Sequence, residues 1–388
     1  MLLVTAVAGP ETAEVGSSAR YRATAFNQPN PGAEDLARIN WEVRCDGVRV
    51  SQSLAAGPSL DVPITPDYAG RTLLVMPFAN SPTEQVSAKT EIPGQEQHIA
   101  EPAAVSVSVD GQRYSAQINN GPAFFVGSDV RYENRRGLMN TTPGTDIYTP
   151  DAYREQFGFW ADIITPTAIC ESKGSFHCLN TYDRAAFTFG FFQDAAHEPD
   201  DNFVLLLRRL LLLDAARFYF PDLTLLNGHV AQKTPGGTVQ LEDSSSSQGL
   251  MDYLNPDPDA VCSQEADVAA KFVHWAENSP ENRATQVAFT IEQQRQKYAY
   301  YAQRYDLDGA EDTVCIVVAD IRHQGRAKSS VIEQALAASD PLNALLEIGS
   351  TTYASRIETL RQEIEKMTAS GIFGHHSYSL VNRDFVLD

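Results

Sequence analysis

Three acidic side chains stand out within one short stretch, CESKGSFHCLNTYDRAAFTFGFFQDAAH, which runs from residue 170 to residue 197. They are Glu171, Asp183 and Asp194, and glycines and a run of phenylalanines lie between them. Cleavage of a glycosidic bond needs one protonated carboxyl to donate to the leaving oxygen, and one ionised carboxylate to position water or stabilise the oxocarbenium-like charge. The apolar residues Ala168-Ile169-Cys170 before Glu171 predict that desolvation raises its pKa, which suits the protonated role.

The order of residues in this stretch resembles that of goose-type lysozymes and the related lytic transglycosylases. The resemblance rests on Glu171-Ser172-x-Gly174, then Asp183-Arg184, then Phe189-Gly190-x-x-Gln193-Asp194. It implies a lysozyme-like helical domain in which Glu171 ends a helix and is the general acid. It also implies a β-hairpin beside the cleft, with two aspartates that hold the hydrolytic water, Asp183 and Asp194, and with cleft-lining residues Ser172, Gly190 and Gln193.

A second wall of the cleft is expected near the end of a later helix, in the segment DIRHQGR, with Arg322 and His323 as substrate-binding residues. The sequence departs from the family pattern at Phe191-Phe192, just before the glutamine, and in an insertion over residues 221–262. These departures leave the preferred glycan open.

Several of these residues also have a purely structural interpretation. Asp183 can form an ion pair with Arg184, and Asp194 can cap the following turn. Gln193 can hold the backbone instead of contacting sugar. The order of the whole motif favours the catalytic interpretation of Glu171 and, by a small margin, of Asp183, and it places Gln193 at the cleft, whereas both interpretations of Asp194 stay open.

No metal or cofactor site is predicted. His177 and His197 are expected to be polar loop residues, and His375-His376 a solvated loop. The five cysteines do not follow the spacing of a zinc site or of a disulfide framework. Cys170 and Cys178 are close enough in sequence to pair, and two buried thiols are the alternative.

Residues 1–95 are predicted to form an all-β, Ig-like sandwich. Short alternating strands recur between turn clusters such as QPNPGAED and TPDYAG, and Trp41 lies in mid-strand, where it would pack between two sheets. Residues 96–148 are predicted to be a connector with one β-hairpin, since Asp110-Gly111 is a strong hairpin turn.

From residue 149 to residue 388 the hydrophobic pattern becomes helical, and this length is enough to bury one large core. Gln232–Gln248 is predicted to be a weakly patterned loop. The expected fold is therefore multidomain, with an N-terminal all-β module and a mainly α lysozyme-like domain that carries a small hairpin at its active site.

The charge balance excludes some classes of partner. The chain has 30 basic and 50 acidic residues, and its net charge of −20 argues against general binding of nucleic acid or of an anionic membrane surface. Charged residues interrupt the most apolar segment, Phe203–Phe220, so no membrane span is predicted. The first residues lack a basic n-region, and we expect synthesis in the cytoplasm and export by other means than a secretory signal.

The resemblance implies a peptidoglycan hydrolase, a muramidase that cleaves the β-1,4 bond between N-acetylmuramic acid and N-acetylglucosamine. The expected setting is an antibacterial effector, delivered to the periplasm of a target bacterium by a machine such as the type VI secretion system. Its partners would be peptidoglycan strands, an immunity protein and a component of the secretion apparatus. The alternatives are a lytic transglycosylase, a chitosanase-type glycosidase, a phage lysin and a non-catalytic cell-wall-binding protein.

Overall fold

The computed structural model describes residues 2–53, 57–65, 68–79, 82–83, 85–93 and 101–388. The chain divides into two compact units, Met1–Ala100 and Glu101–Asp388. The predicted boundary at residue 95 lies outside the described residues. The first unit is rich in strands, and the second combines antiparallel sheets with a helical C-terminal region, so the chain has a multidomain mixed fold.

The described residues of the first unit form two antiparallel sheets and one short α-helix. Its described elements are β1 (Val4–Ala8), β2 (Ser18–Phe26), α1 (Ala33–Ala37), β3 (Asn40–Cys45), β4 (Val48–Ser53), β5 (Ser59–Pro63), β6 (Thr72–Phe78) and β7 (Ala88–Glu91). One sheet has the order β1-β2-β5 and the other has the order β4-β3-β6-β7.

Side chains from both sheets form one core in this unit. Tyr21 from β2 and the pair Trp41 and Val43 from β3 are buried together with Leu73 from β6. These positions alternate along their strands, as expected for strands with one face towards a core. The Trp41 ring nitrogen donates a hydrogen bond to the Gly57 carbonyl at 2.8 Å, so its only polar atom is satisfied inside the core.

The second unit begins with strands that continue into the predicted active-site hairpin. The strands are β8 (Val105–Asp110), β9 (Arg113–Ile118), β10 (Phe124–Tyr132), β11 (Arg135–Asn140), β12 (Leu179–Asn180), β13 (Thr188–Phe189) and β14 (Asp194–Ala195). They form one sheet in the order β14-β13-β12-β11-β10-β9-β8. The predicted hairpin is confirmed, since β8 pairs with β9 around Gly111 at φ +59°. The three short strands of the candidate site are thus the edge of a seven-stranded sheet.

Helices make up most of the remainder of the second unit. They are α2 (Arg154–Phe157), α3 (Trp160–Ile163), α4 (Thr165–Ser172), α5 (Asn202–Leu210), α6 (Ala216–Tyr219), α7 (Gln248–Leu254), α8 (Ser263–Asn278), α9 (Pro280–Tyr305), α10 (Asp312–Gln324), α11 (Ser329–Leu336), α12 (Pro341–Leu346) and α13 (Ala354–Ala369). In the described part of the chain, no helix combines the length and apolar character needed to cross a membrane.

Aromatic side chains of the hairpin anchor it to these helices. The Phe187 ring packs on Phe203 of α5 and on Phe272 of α8, each with ring centroids 5.2 Å apart. Phe189 contacts Phe272 at 5.1 Å. These rings are fully buried, so the candidate site rests on a rigid hydrophobic base.

Two sequence predictions are wrong in part in this unit. Within the expected loop Gln232–Gln248, residues 232–234 and 237–240 are strands of a small sheet of β15 (Leu223–Leu226), β16 (His229–Thr234) and β17 (Gly237–Gln240), whereas residues 241–247 lie outside helices and strands. All of β17 is exposed, so it has no buried face to produce an alternating pattern. His376 is not in a solvated loop, because it begins β18 (His376–Ser379), which pairs with β19 (Asp384–Leu387), and its ring stacks on Phe159 at 3.8 Å.

Candidate functional site

The end of α4 presents Glu171 beside the edge of the sheet. The helix ends because Lys173 adopts a left-handed conformation at φ 55° and Gly174 follows at φ +80°. The Gly174 position is crowded, since a Cβ there would lie 3.2 Å from the Tyr148 carbonyl oxygen. The left-handed residues Lys173 and Gly174 end α4 and therefore fix the position of Glu171 in its last turn.

The turn between β13 and β14 is built from the other motif residues. Gly190 has φ +92°, and a Cβ there would come within 2.7 Å of the Gln286 side-chain oxygen. Gln193 donates from its amide nitrogen to the carbonyls of Cys178, at 3.1 Å, and Gly190, at 2.9 Å. The Ser172 hydroxyl donates to the Phe191 carbonyl at 2.7 Å. These residues hold the turn against α4. Gln193 therefore holds the backbone, which is the structural interpretation of this residue. Contact of these residues with substrate stays a prediction.

Arg356 and His323 hold the carboxylate of Glu171. Its Oε1 atom lies 2.7 Å from the Arg356 guanidinium and 3.2 Å from Nε2 of His323. Burial by itself raises the pKa of Glu171, but the hydrogen bond from His323 and the charges of His323 and Arg356 outweigh burial, and its pKa lies below the ordinary value. The prediction that apolar neighbours raise this pKa is therefore wrong in its net direction. The side chain is 16% exposed, so part of it remains open to solvent.

A buried ion-pair network positions Arg356. Asp320 on α10 is fully buried and accepts from Arg356 at 2.7 Å and from Arg326 at 2.5 Å. The Thr167 hydroxyl on α4 donates to the same carboxylate at 3.2 Å. Burial raises the pKa of Asp320, but the two arginines outweigh that effect and keep its pKa low. The network therefore joins α4, α10 and α13 around Glu171.

Asp194 has the opposite environment. It opens β14, is 8% exposed, and forms no hydrogen bond or ion pair through its carboxylate with any residue that the structure describes. Burial raises the pKa of Asp194 to about 6, although the charges of Lys297 and His323 oppose this effect. The charge of Glu171 also acts on it, in the raising direction. Glu171 and Asp194 thus share one electrostatic environment in which their pKa values move apart. Asp194 does not cap a turn.

Asp183 does not join this cluster. Leu179 pairs with Phe189 at the end of the hairpin near the Gly190 turn, whereas Asp183 lies in the loop at the other end. Its carboxylate accepts hydrogen bonds from the Asn180 amide at 3.0 Å and from the Ala185 backbone nitrogen at 2.8 Å. It forms no ion pair with Arg184 among the described residues. These contacts stabilise the loop that contains Asp183, and none of them links Asp183 to Glu171.

The last turn of α10 carries Arg322 and His323, the two residues predicted for a second cleft wall. His323 contacts Glu171, as described above, and its ring packs edge-on against Phe192 with centroids 4.8 Å apart. Arg322 is partly buried, its Nε atom has no hydrogen-bond partner within the described chain, and its charge acts on the Tyr301 hydroxyl. The structure therefore brings His323 together with Glu171 and leaves Arg322 beside α9.

The structure shows the state of two thiols and one histidine near the candidate site. Cys170 and Cys178 are both free, and burial raises the pKa of each thiol to about 12. They are therefore unreactive thiols next to the site. His177 lies in the turn between α4 and β12, as predicted for a loop residue, but it is buried and paired with Glu277.

One group of side chains in the described chain has metal-ligand types and spacing, and it contains Asp200, His229 and Glu242. Arg208 lies among them, with its Nη2 atom 2.5 Å from Asp200, 2.6 Å from Glu242 and 2.9 Å from His229. The guanidinium already supplies positive charge there. This group is an ion-pair network, and it lies outside the cluster around Glu171.

Sequence reasoning missed Arg356 as a site residue and placed Asp320 and Arg326 only in a general cleft wall. A signal existed for Asp320, because an acid within the apolar helix CIVVADI must be paired if it is buried. Arg356 lies on a helix with ordinary amphipathic spacing, ASRIETLRQEI, and nothing in that pattern distinguishes it.

Comparison with known proteins gave no match, since no family model, no curated protein and no solved structure is significantly similar to this chain.

Proposed function

We propose that this protein is a glycoside hydrolase that cleaves peptidoglycan, with an Ig-like first unit and a lysozyme-like catalytic unit. The observation that carries the proposal is the different setting of two carboxyl groups. Glu171 is held by Arg356 and His323, whereas Asp194 is buried in the strand that follows the turn packed on α4, and their pKa values are shifted in opposite directions. Such a pair can divide acid and base roles between its members. The order of the motif residues, which resembles goose-type lysozymes, supports the choice of a glycan as the substrate.

In the proposed reaction, Glu171 protonates the bridging oxygen and ionised Asp194 directs water to the opposite face of the sugar. In the free protein the proton has the opposite preference, with Asp194 protonated and Glu171 ionised. The pKa of Asp194 is about 6, and that of Glu171 lies below its ordinary value of 4.5. In the singly protonated pair, the proton therefore lies mainly on Asp194. The productive form is a minor one, and a glycan that excludes water from Glu171 would favour it by disfavouring the ionised form.

This arrangement gives a specific pH dependence. The singly protonated pair is lost as the pH rises through about 6, because Asp194 then ionises while Glu171 is already ionised. We expect kcat/KM to be highest at acidic pH and to fall about tenfold for each pH unit well above 6. The measurement is kcat/KM on soluble peptidoglycan fragments between pH 4 and pH 8. A rate that keeps rising to pH 7.5 would contradict this assignment.

A lytic transglycosylase is the second candidate, and the position of Asp183 favours it. Two aspartates beside the general acid would support hydrolysis, but Asp183 lies in the far loop of the hairpin with its carboxylate bonded locally. Only Asp194 is left to hold water. In a transglycosylase the 6-hydroxyl of the sugar closes an anhydro ring, and no second aspartate is needed.

Digestion of purified peptidoglycan tests both candidates. Wild type and Glu171→Gln would be compared, with Glu155→Gln as the matched control, since Glu155 is an exposed glutamate on α2. We expect products from wild type and the control, and none from Glu171→Gln. Reducing-end muramic acid identifies a muramidase, and anhydro ends identify a transglycosylase. No product from wild type, under conditions where a known lysozyme is active, would refute the proposal and favour chitosan cleavage or pure wall binding.

The biological setting stays a prediction of the sequence. We propose an antibacterial effector that acts in the periplasm of a target bacterium, with an immunity protein and a secretion component as partners. Protection of target cells by a co-expressed neighbouring gene product, together with killing that depends on Glu171, would test this setting.

A further inference from the structure

A small pocket on the β10–β11 hairpin brings several arginines together. Its volume is about 190 Å³, and it is lined by Arg131, Asn134, Arg135, Arg136 and Asp259. The backbone nitrogen of Arg136 donates to the Pro258 carbonyl at 2.8 Å, which holds the facing loop in place. The arginine side chains are exposed to solvent. We refer to these five lining residues as the arginine pocket.

The partners of these arginines leave positive charge available. The Arg136 guanidinium is neutralised by Asp129 at 2.7 Å. Arg131 donates only to the Glu133 carbonyl, at 3.4 Å, and Arg135 only to the Asp183 carbonyl, at 3.3 Å, among the described residues.

Asp259 is the one acidic side chain that lines the pocket, and it forms no ion pair with these arginines in the described chain. Two uncompensated guanidiniums against one carboxylate give a local excess of positive charge. The chain as a whole has a net charge of −20.

The arginine pocket is connected to the candidate site through the sheet. β11 pairs directly with β12 of the site hairpin. Arg135 bonds to the backbone of the Asp183 loop, which closes that hairpin at the end away from Glu171. The arginine pocket and the candidate site therefore belong to one sheet, with the pocket at the end of β10 and β11 that adjoins the Asp183 loop.

We propose that the arginine pocket binds a free carboxylate of the peptide stem of peptidoglycan, while the glycan strand occupies the cleft at Glu171. This inference rests on the proposed function. A guanidinium presents a fork of donors that matches the two oxygens of a carboxylate, and Asn134 adds an amide that can donate to the stem backbone. The proposed occupant is the peptide stem because its free carboxylate complements the excess positive charge of the pocket, and because the pocket and the candidate site belong to one sheet.

Binding measurements on the full-length Glu171→Gln protein test the proposal without turnover. The probes are a disaccharide–tetrapeptide with free stem carboxylates, a stem-free N-acetylglucosamine oligomer, and a glycerol phosphate oligomer. The variant is Arg131→Gln with Arg135→Gln. The control is Arg304→Gln, an exposed arginine on α9 that pairs with Glu333 at 3.1 Å.

We expect the double variant to weaken disaccharide–tetrapeptide binding about tenfold, with no change for the stem-free oligomer or in the control. The affinity for the tetrapeptide form should also fall with added salt, and the stem-free affinity should not. Equal binding of the tetrapeptide form by parent and double variant would overturn the pocket assignment alone. Loss of glycerol phosphate binding with unchanged tetrapeptide binding would overturn the stem as its ligand. No binding of either glycan by the parent would refute the proposed function and this inference with it.

Discussion

The substitution Asp194→Asn should stabilise the protein while it abolishes hydrolysis. Burial raises the pKa of Asp194 from the ordinary 3.8 to about 6, so the folded protein resists ionisation of this group. The folded state then binds more protons than the unfolded state between these two values, and stability falls as the pH rises through this range. Above pH 6 the cost is complete and amounts to about 3 kcal/mol, at roughly 1.4 kcal/mol for each tenfold change in proton affinity.

Asparagine has nearly the same shape as aspartate and cannot ionise, so it removes this cost. Its buried amide also needs hydrogen-bond partners, which offsets part of the gain. We therefore expect the free energy of unfolding to rise by about 1–3 kcal/mol at pH 7.5, with little difference between variant and wild type at pH 3.5. Urea denaturation of the full chain at both pH values measures the difference.

Asp183→Asn is the matched control, because it makes the same chemical change in the other part of the hairpin. The carboxylate of Asp183 accepts hydrogen bonds from Asn180 and Ala185, so we expect no stabilisation from this substitution at either pH. An equal gain for Asp194→Asn at pH 3.5 and pH 7.5, or a loss at pH 7.5, would refute the reasoning about buried ionisation.

Two further substitutions test the parts of the structure that position the site. Asp320→Ala leaves Arg326 and Arg356 without their shared buried carboxylate, and we expect a loss of about 3–5 kcal/mol in urea denaturation; a loss below 1 kcal/mol would mean that the network is not buried in solution. Gly190→Ala places a Cβ 2.7 Å from the Gln286 side-chain oxygen at φ +92°, and we expect about 1–3 kcal/mol of destabilisation and reduced activity. An alanine variant as stable as wild type would show that the turn does not need glycine.

The Glu171→Gln protein used above carries its own stability expectation. Glutamine cannot neutralise Arg356, which keeps Asp320 as a partner, so we expect a loss of only about 1–2 kcal/mol. Circular dichroism and the urea midpoint would show whether the variant is folded. An unfolded variant would make Asp194→Asn the better probe of catalysis.

The sequence by itself determined the local parts of this protein. The left-handed end of α4 is set by neighbouring residues, so Glu171 could be placed at a helix end in advance. The hairpin that carries Asp194 was expected only from the resemblance to goose-type lysozymes. Alternating strands and the interior position of Trp41 also follow from short-range pattern. The small sheet with β17 did not follow, because an exposed strand has no periodic hydrophobic signal.

Only the tertiary structure decided the electrostatics of the site. The apolar neighbours of Glu171 in sequence suggest a raised pKa, but Arg356 and His323 come from distant helices and reverse its direction. Asp183 and Asp194 are equivalent in the motif, yet folding buries Asp194, whose carboxylate has no hydrogen-bond partner among the described residues, and leaves Asp183 bonded within its own loop. A pKa depends on burial and on charges within a few ångströms, and both are properties of the assembled fold.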